Sequence, residues 1–411
     1  MELWLKIVIV YLVCMNIIGF FSMGMDKSRA KKKQWRIPER VLFTIAFLGG
    51  SIGSFVGMQV FRHKTKHKSF VIGIPLILLL QVCGVALLFH YVNSKSAQRT
   101  DFAMGTVVTE VVYGKDCEVA VEVLQEQIQM LDTRQLSWRT DGSSVYVINQ
   151  RLAQGEAIPL TNQEFEWLDR TLRICEDSNG ALDITIHPLI EVWGIESDSP
   201  VVPTQEQVTD AQAKTDYRQL HITETGSLYA DRNTVSIDLG SVGKGIVADE
   251  IRSYLETQDI HGAVISIGGT ILVYGEKPGV EEWTVAIQDP RGVQGEILGS
   301  LTMKQNGVIS TSGDYERYFM DGDKRYHHIL DPKSGYPAES GLSSVTIVCE
   351  EGIVSDGLST ACFVLGYENS LPLLEQYDAE AIFVTTENQV IVTEGLRSAF
   401  SLTNENYELQ P

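Results

Sequence analysis

The sequence predicts an α+β or α/β soluble domain of about 300 residues behind a short apolar part built of two or three membrane-length helices. Two observations carry this. The first is a charge divide. Residues 1–100 hold 14 Lys and Arg against Glu2, Asp26 and Glu39, whereas residues 101–411 hold 19 basic against 50 acidic side chains. The second is texture, because short strands and amphipathic helices alternate from Val107 onward. A formal charge of −20 excludes a dedicated nucleic-acid binder, and 44% hydrophobic residues exclude wholesale disorder.

Leu3 to Phe21 and Phe70 to Tyr91 are nearly unbroken apolar runs, each about the 20 residues that a helix needs to cross roughly 30 Å of hydrocarbon. A buried soluble helix is seldom this long and this free of charge. The first run does not read as a cleaved signal peptide: Glu2 precedes Lys6, no small-residue cleavage site follows, and a second span comes later. Cys14 lies mid-run among bulky residues, so there is no lipobox. Between the two, Val41 to Phe61 is apolar but carries Gly49, Gly50, Gly53 and Gly57, with basic runs at 27–33 and 62–68 on either side. Short basic loops stay cytoplasmic. Three full spans would push one of them outside. The expected arrangement in the cytoplasmic membrane is therefore a re-entrant or interfacial middle segment, both basic runs inside and the soluble domain outside. Three spans with a cytoplasmic C-terminus is the competing arrangement.

His63 and His67 are four apart, a helix spacing that could hold a metal; among so many lysines they read as headgroup-facing. Met25-Asp-Lys-Ser-Arg-Ala30, Trp35-Arg-Ile-Pro-Glu39, Gly49-Gly50, Gly57-Met58 and Phe61-Arg-His-Lys-Thr65 resemble the small bacterial DUF1294 membrane proteins. That family has no assigned activity, so the resemblance implies contact with membrane lipid and little else. Residues 1–92 are assigned to this membrane domain, the polar stretch 93–103 to a linker, and 104–411 to the soluble domain.

Within the soluble part, Val107 to Val112 alternates as a strand. Cys117 to Leu131 is apolar at Val119, Val123, Leu124, Ile128 and Leu131, the spacing of an amphipathic helix. Thr161 and Glu164 form a capping-box pattern at the head of a helix to Asp177. Val235 to Leu239 reads as a strand feeding a glycine-rich turn and a helix from Ile246 to Glu256. Further strands are expected at Ala263–Ile267, Trp283–Ile287, Val345–Val348 and Ala381–Thr385. The six cysteines include no Cys-x-x-Cys, and they read as buried structural residues with no disulfide framework or zinc site.

Four clusters carry chemistry. In Asp238-Leu-Gly-Ser-Val-Gly-Lys-Gly245 a glycine-rich turn opens a helix, an arrangement that presents N–H groups to phosphate while Lys244 adds a point charge. Gly245 stands where a Walker A loop requires Ser or Thr, and a tight turn explains the glycines about as well. In Ser355-Asp-Gly-Leu-Ser-Thr360, Asp356 and Thr360 are four apart, so on a helix both oxygens face one way and could hold Mg²⁺; an N-terminal cap is the plainer reading. In Gly180-Ala-Leu-Asp-Ile-Thr185, turn residues precede an expected strand that points Asp183 and Thr185 to one face. Tyr326-His-His-Ile-Leu-Asp-Pro-Lys-Ser-Gly335 sets a histidine pair before a Pro-Gly turn.

Taken with Met104-Gly-Thr106, Pro188-Leu189, Trp193-Gly194 and Ile267-Gly-Gly-Thr270, these clusters resemble the ApbE family, the FAD:protein FMN transferases, over residues 104–400. The resemblance implies an α+β fold related to the T-fold and a Mg²⁺-dependent reaction. FAD is split at its pyrophosphate, AMP leaves, and FMN is joined to a Thr or Ser hydroxyl of an acceptor flavoprotein, as in subunits of membrane electron-transfer complexes. It also implies that Asp356, the Thr360 hydroxyl and the Ser241 carbonyl hold the metal. Met104, Trp138, Ala181, Leu182, Asp183, Asp238, Lys244 and Ile329 match FAD-contacting positions, with Trp138 where Tyr is commoner.

The acceptor hydroxyl needs a base. His328 is the first candidate and Asp238 the second, with His187 and His327 ranked lower and Lys244 assisting on the phosphate oxygens; a structural role at the Asp331-Pro332 turn is the alternative for His328. The family's usual Asp-x-x-Ser-Gly-Ala-Thr acceptor motif is absent, so this chain reads as donor enzyme and not client. Two other readings stand beside the transferase: an FAD pyrophosphatase giving FMN and AMP, and a non-catalytic flavin-binding module.

Overall fold

The structure, a computed structural model, describes residues 3–411 other than Ser94, Glu196, Asp198, Gln294 and Gln305. Glu2, weighed above against a signal peptide, and Ser94 of the expected linker lie outside the described residues. The chain divides into two compact units, 1–93 and 94–411.

The first unit contains α1 (Leu3–Lys31), α2 (Glu39–Ile45), α3 (Ser51–Val60) and α4 (Lys68–Asn93). Three helical stretches, Lys6–Lys31, Glu39–Val60 and Lys68–Leu87, are long and apolar enough to cross a membrane. The middle one folds back on itself. Gly49 has a φ of 109°, inside the π-helical turn Ala46–Gly50, a conformation that suits a residue with no Cβ.

Beyond that turn α3 runs parallel to α1. A Cβ at Gly50 would stand 2.6 Å from Met15 O, one at Gly53 1.8 Å from Asn16 O, and one at Gly57 2.9 Å from Phe20 O. A single straight helix after α1 would run antiparallel to it. The reversal brings Leu42 and Met58 into one buried cluster with Met23 and Phe70, and Lys64 Nζ bonds Glu39 at 2.9 Å. Backbones this close need glycine. Side chains take up carbonyls at the reversal: Asn16 Nδ2 donates to Gly49 O at 2.9 Å and Gln81 Nε2 to Phe47 O at 2.8 Å. His63, expected to face headgroups, is buried instead with Nε2 2.7 Å from Asp26 Oδ2.

In the second unit nine strands form one sheet among the described residues. They are β1 (Ser96–Ala103), β2 (Thr106–Gly114), β3 (Ile260–Ile267), β4 (Thr270–Gly275), β5 (Gly307–Gly313), β6 (Leu342–Cys349), β7 (Glu380–Thr385), β8 (Gln389–Val392) and β9 (Glu408–Leu409). They lie side by side in chain order. Every pairing is antiparallel except β8 with β9.

Of the helices α5 (Cys117–Met130), α6 (Asn162–Asp177), α7 (His187–Trp193), α8 (Gly243–Glu256) and α9 (Gly352–Leu365), all but α7 bury the large core cluster, for which Leu124, Ile174, Ile251 and Phe363 are representative; α7 packs Leu189 and Trp193 into a separate cluster with Val208 and Leu330. A separate three-stranded sheet, which includes Trp283–Gln288 and Ile297–Met303, closes a second cluster around Val273, Leu301 and Ile382. Thr161 caps α6 with the full capping box. The cysteines are free; Cys117, Cys175 and Cys362 are buried.

Three expectations are corrected. Most of the stretch read as a linker, 93–103, is strand β1, whose residues 96–103 pair with β2 from Tyr113 back to Thr106. Polar composition misled there because β1 is an edge strand with every second residue exposed. Among the described residues Val235 to Leu239 joins no sheet. Its backbone bonds elsewhere: Ile237 N–H to Asn149 Oδ1 at 2.7 Å, Ile237 O to Asn149 Nδ2 at 2.8 Å, and Asp238 N–H to Ile184 O at 2.7 Å. Asp183 and Thr185 lie in a turn and not a strand, since the Asp183 carboxylate captures the Thr185 N–H at 2.8 Å, a local bond that competes with a ladder.

Candidate functional site

The glycine-rich loop is shaped by its first acid. Asp238 Oδ1 accepts the Gly240 N–H at 2.7 Å, which turns the chain into α8. That helix starts at Gly243, three residues before the expected Ile246, so Lys244 sits in its first turn. Helices α8 and α9 then cross in near-contact. A Cβ on Gly245 would stand 2.1 Å from Gly352 O, and one on Gly352 would stand 2.2 Å from Gly245 O. Asp249 fixes the crossing from below by accepting the N–H groups of Gly352 and Ile353 at 2.7 and 2.9 Å. Burial pushes its carboxyl above the ordinary range against those two bonds.

The crossing brings the second cluster to the first. Asp356, 3% exposed, accepts the Gly245 N–H at 3.0 Å, and its Oδ1 lies 3.3 Å from Thr270 Oγ1 and 3.4 Å from Lys244 Nζ. One turn along α9, Thr360 Oγ1 is 3.3 Å from Ser312 Oγ. Asp356 and Thr360 therefore share a helix face as their spacing predicts. The Ser355 and Asp356 side chains do not cap that helix, which has no side-chain cap bond.

The third cluster makes the opposite wall. Asp183 is buried; Oδ1 accepts the Thr185 hydroxyl at 2.6 Å, and Oδ2 accepts the Tyr217 N–H at 3.0 Å. Desolvation by burial still holds its carboxyl above the ordinary value. Its oxygens brace the turn that presents Ala181 and Leu182. Trp138 packs against two neighbours, with the Arg139 guanidinium 4.2 Å over its ring and the His187 ring edge-on, its centroid 4.1 Å away.

In the fourth cluster the two histidines separate. His327 Nε2 donates to Ala338 O at 3.1 Å in the interior, where burial pushes its pKa down. His328 is half-exposed, with Nδ1 3.3 Å from Arg317 O.

One cavity of about 450 Å³ gathers these walls, within the size range of small-molecule sites. Met104, Trp138, Ala181, Leu182 and Asp183 line one part; Asp238, Ser241, Lys244, His328, Ile329 and Thr360 line the rest. Asp356 lies directly behind Lys244. His187 and His327 are outside the lining. Sequence reasoning missed Asp132, Ser312 and Arg317, which also line the cavity; none belongs to one of the four clusters, and no local pattern marks Asp132, which follows an amphipathic helix that already carries Glu118, Glu122 and Glu126.

Among the described residues no group of three or more His, Cys, Asp or Glu converges as a metal cage. One buried carboxylate with a hydroxyl nearby is a hard oxygen set, the kind Mg²⁺ uses when substrate phosphates and water complete its shell.

The sheet, the glycine-locked helix crossing and the lysine-bearing loop define an α+β protein with a cleft suited to a phosphate-bearing ligand. Residues 104–383 match the ApbE family, and residues 16–70 match DUF1294, described as protein of unknown function. The chain belongs to the ApbE family. It is 29% identical over 352 residues to the FAD:protein FMN transferase of Treponema pallidum, across 81% of this chain and 97% of that protein. An FAD:protein FMN transferase of Klebsiella pneumoniae is 35% identical over 233 residues, 56% of this chain and 72% of the relative. The ApbE protein of Thermotoga maritima shares the fold at a TM-score of 0.68 and 29% identity, over 74% of this chain and 99% of that one. The apo flavinyl transferase ApbE of Pseudomonas stutzeri gives 0.65 at 29% identity, over 75% and 98%.

Proposed function

We propose that residues 94–411 transfer FMN from FAD to a Thr or Ser hydroxyl of an acceptor flavoprotein and release AMP. The observation that carries this reading is the contact of Lys244 with Asp356 behind a cavity that Ser241 and Thr360 also line. The acceptor oxygen bonds to the FMN phosphorus, the phosphorus–oxygen bond to AMP breaks, and the hydroxyl proton passes to His328. Asp238 is the second choice for that role. Lys244 stabilises charge on the phosphate oxygens. Asp356, the Thr360 hydroxyl and the Ser241 carbonyl would hold Mg²⁺, which offsets pyrophosphate charge in a domain rich in acid. Met104, Ala181, Leu182, Asp183, Ile329 and Trp138 bind the dinucleotide, Trp138 by stacking.

The first unit anchors the enzyme in the cytoplasmic membrane. Since α3 returns alongside α1, the middle segment enters and leaves by one face, and α1 and α4 are the crossing helices. Both basic runs then lie on the cytoplasmic side, and the transferase domain lies outside, beside acceptor subunits of membrane electron-transfer complexes.

The test is intact mass spectrometry of an acceptor domain incubated with the full-length protein, FAD and Mg²⁺, alongside AMP release. A gain of one FMN, abolished by EDTA and by Asp356→Ala, is the expected result. AMP and FMN release with every offered acceptor unmodified would move the reading to an FAD pyrophosphatase. FAD bound but uncleaved would leave a flavin-binding module.

A further inference from the structure

The β1–β2 hairpin closes through Met104 and Gly105, at φ values of 53° and 68°, between the paired Ala103 and Thr106. Two left-handed corners in a two-residue loop make a type I′ turn, whose first corner favours Asn, Asp or Gly. Methionine brings a Cβ into that crowding, a strain that glycine would not carry. Strained corners of this kind persist where neighbours over-determine them, and they gather at ligand clamps.

The restraint is in view. Asp132 Oδ2 accepts the Met104 N–H at 2.7 Å, and Gln129 Nε2 donates to Phe102 O at 2.9 Å. Asp132 sits in the π-helical turn Leu131–Leu136 after α5. Such turns carry an extra residue and recur at functional sites; this one leads straight into Ser137 and Trp138 on the cavity wall. The Met104 side chain reaches the phosphate loop, because a Cβ on Gly243 would stand 3.2 Å from Met104 Cε. One carboxylate thus ties together the strained turn, the tryptophan-bearing loop and, through Met104, the head of α8.

We propose that Asp132 is a positioning residue for the flavin dinucleotide, holding the Met104 turn against Gly243 so that both walls are set before the substrate arrives. It acts through Met104 and deepens the transferase reading, on which it rests.

The experiment titrates full-length protein in detergent with FAD in the presence of EDTA, read by flavin fluorescence, then measures AMP release with Mg²⁺ and an acceptor domain. D132A is expected to raise the FAD Kd and KM about tenfold while kcat stays within about threefold. D132N keeps an acceptor oxygen and stays within about threefold of the parent. In an M104G background, where glycine takes the positive φ freely, D132A costs less than about threefold. Unchanged Kd and KM in D132A, equal losses in D132A and D132N, or a full tenfold loss in the M104G background each overturns the proposal. A parent protein that binds FAD but frees no AMP overturns the transferase reading alone, since the Kd series still decides on Asp132; a parent that binds no FAD overturns both.

Discussion

Gly245 and Gly352 touch backbone to backbone: each would place an added Cβ about 2 Å from the other's carbonyl oxygen, at 2.1 and 2.2 Å. The two residues belong to the glycine-rich loop and to the head of the helix that bears Asp356, so their contact sets the distance from Lys244 to Asp356. Substituting Gly245→Ala forces that crossing apart. The expected outcome is a stability loss of about 1–3 kcal/mol, the cost of overpacking, together with loss of AMP release beyond what the fall in folded fraction explains. Thermal denaturation and turnover of the same preparation check both. Normal turnover in a folded G245A protein would show that the crossing does not set the site.

Asp356 holds the Gly245 N–H and faces Lys244. Asp356→Ala removes the proposed anionic metal ligand and leaves a buried donor unmet, a loss of about 1–3 kcal/mol in stability. Lys244→Ala leaves that hydrogen bond intact. Both are expected to lower kcat by about 10²–10³, the scale of a lost electrostatic group, while only D356A lowers the melting temperature appreciably. AMP release and melting curves of the two variants separate chemistry from folding.

Glu110 on β2 is 1% exposed, and neither carboxylate oxygen has a hydrogen-bond partner among the described residues. Burial first, and the Asp101 charge second, push its pKa up to about 7 from an ordinary value of 4.5. A raised acid binds its proton more tightly folded than unfolded, so stability is fullest below pH 4.5 for this group and is lost as pH rises toward 7. The loss is on the order of 3 kcal/mol. Glu110→Gln is expected to flatten this pH dependence and to raise the melting temperature above pH 7, with little effect below pH 5. Parallel melting curves of parent and variant at every pH would exclude the titration.

The sequence made the site more legible than the scaffold that aims it. Apart from Asp356, which lies behind Lys244, and the lower-ranked His187 and His327, every candidate residue lines the cavity, because several of its loops carry glycines whose spacing is visible in a one-dimensional string. Strand β1 was missed since an edge strand exposes alternate polar residues and reads like a linker. The Val235–Leu239 segment was overread for the opposite reason. Its apolar alternation is real, yet Asn149 and Ile184 supply the bonds a neighbouring strand would have made. Asp132 was invisible because its role is defined by a distance to Met104, and no local pattern encodes that contact.

The fold-back at Gly49 predicts a labelling pattern that a three-span arrangement cannot give. Trp35, 88% exposed, follows the first basic run, and Lys66 lies in the second; Phe47, 71% exposed, is at the tip of the reversal. Cysteines at these three positions, introduced singly with Cys14 and Cys83 changed to Ser, are to be treated with a membrane-impermeant maleimide on intact cells and on inverted vesicles. Trp35→Cys and Lys66→Cys should both label only in inverted vesicles, because the hairpin returns both loops to one face. Phe47→Cys should resist labelling from either side, since the tip lies about ten helical residues, roughly 15 Å, below the Asp26 level. Gly53→Val, which drives a side chain into the Asn16 carbonyl, should disrupt the hairpin and expose Phe47→Cys to the reagent. Opposite labelling of Trp35→Cys and Lys66→Cys would replace the hairpin with a third full span and move the transferase domain to the other side of the membrane.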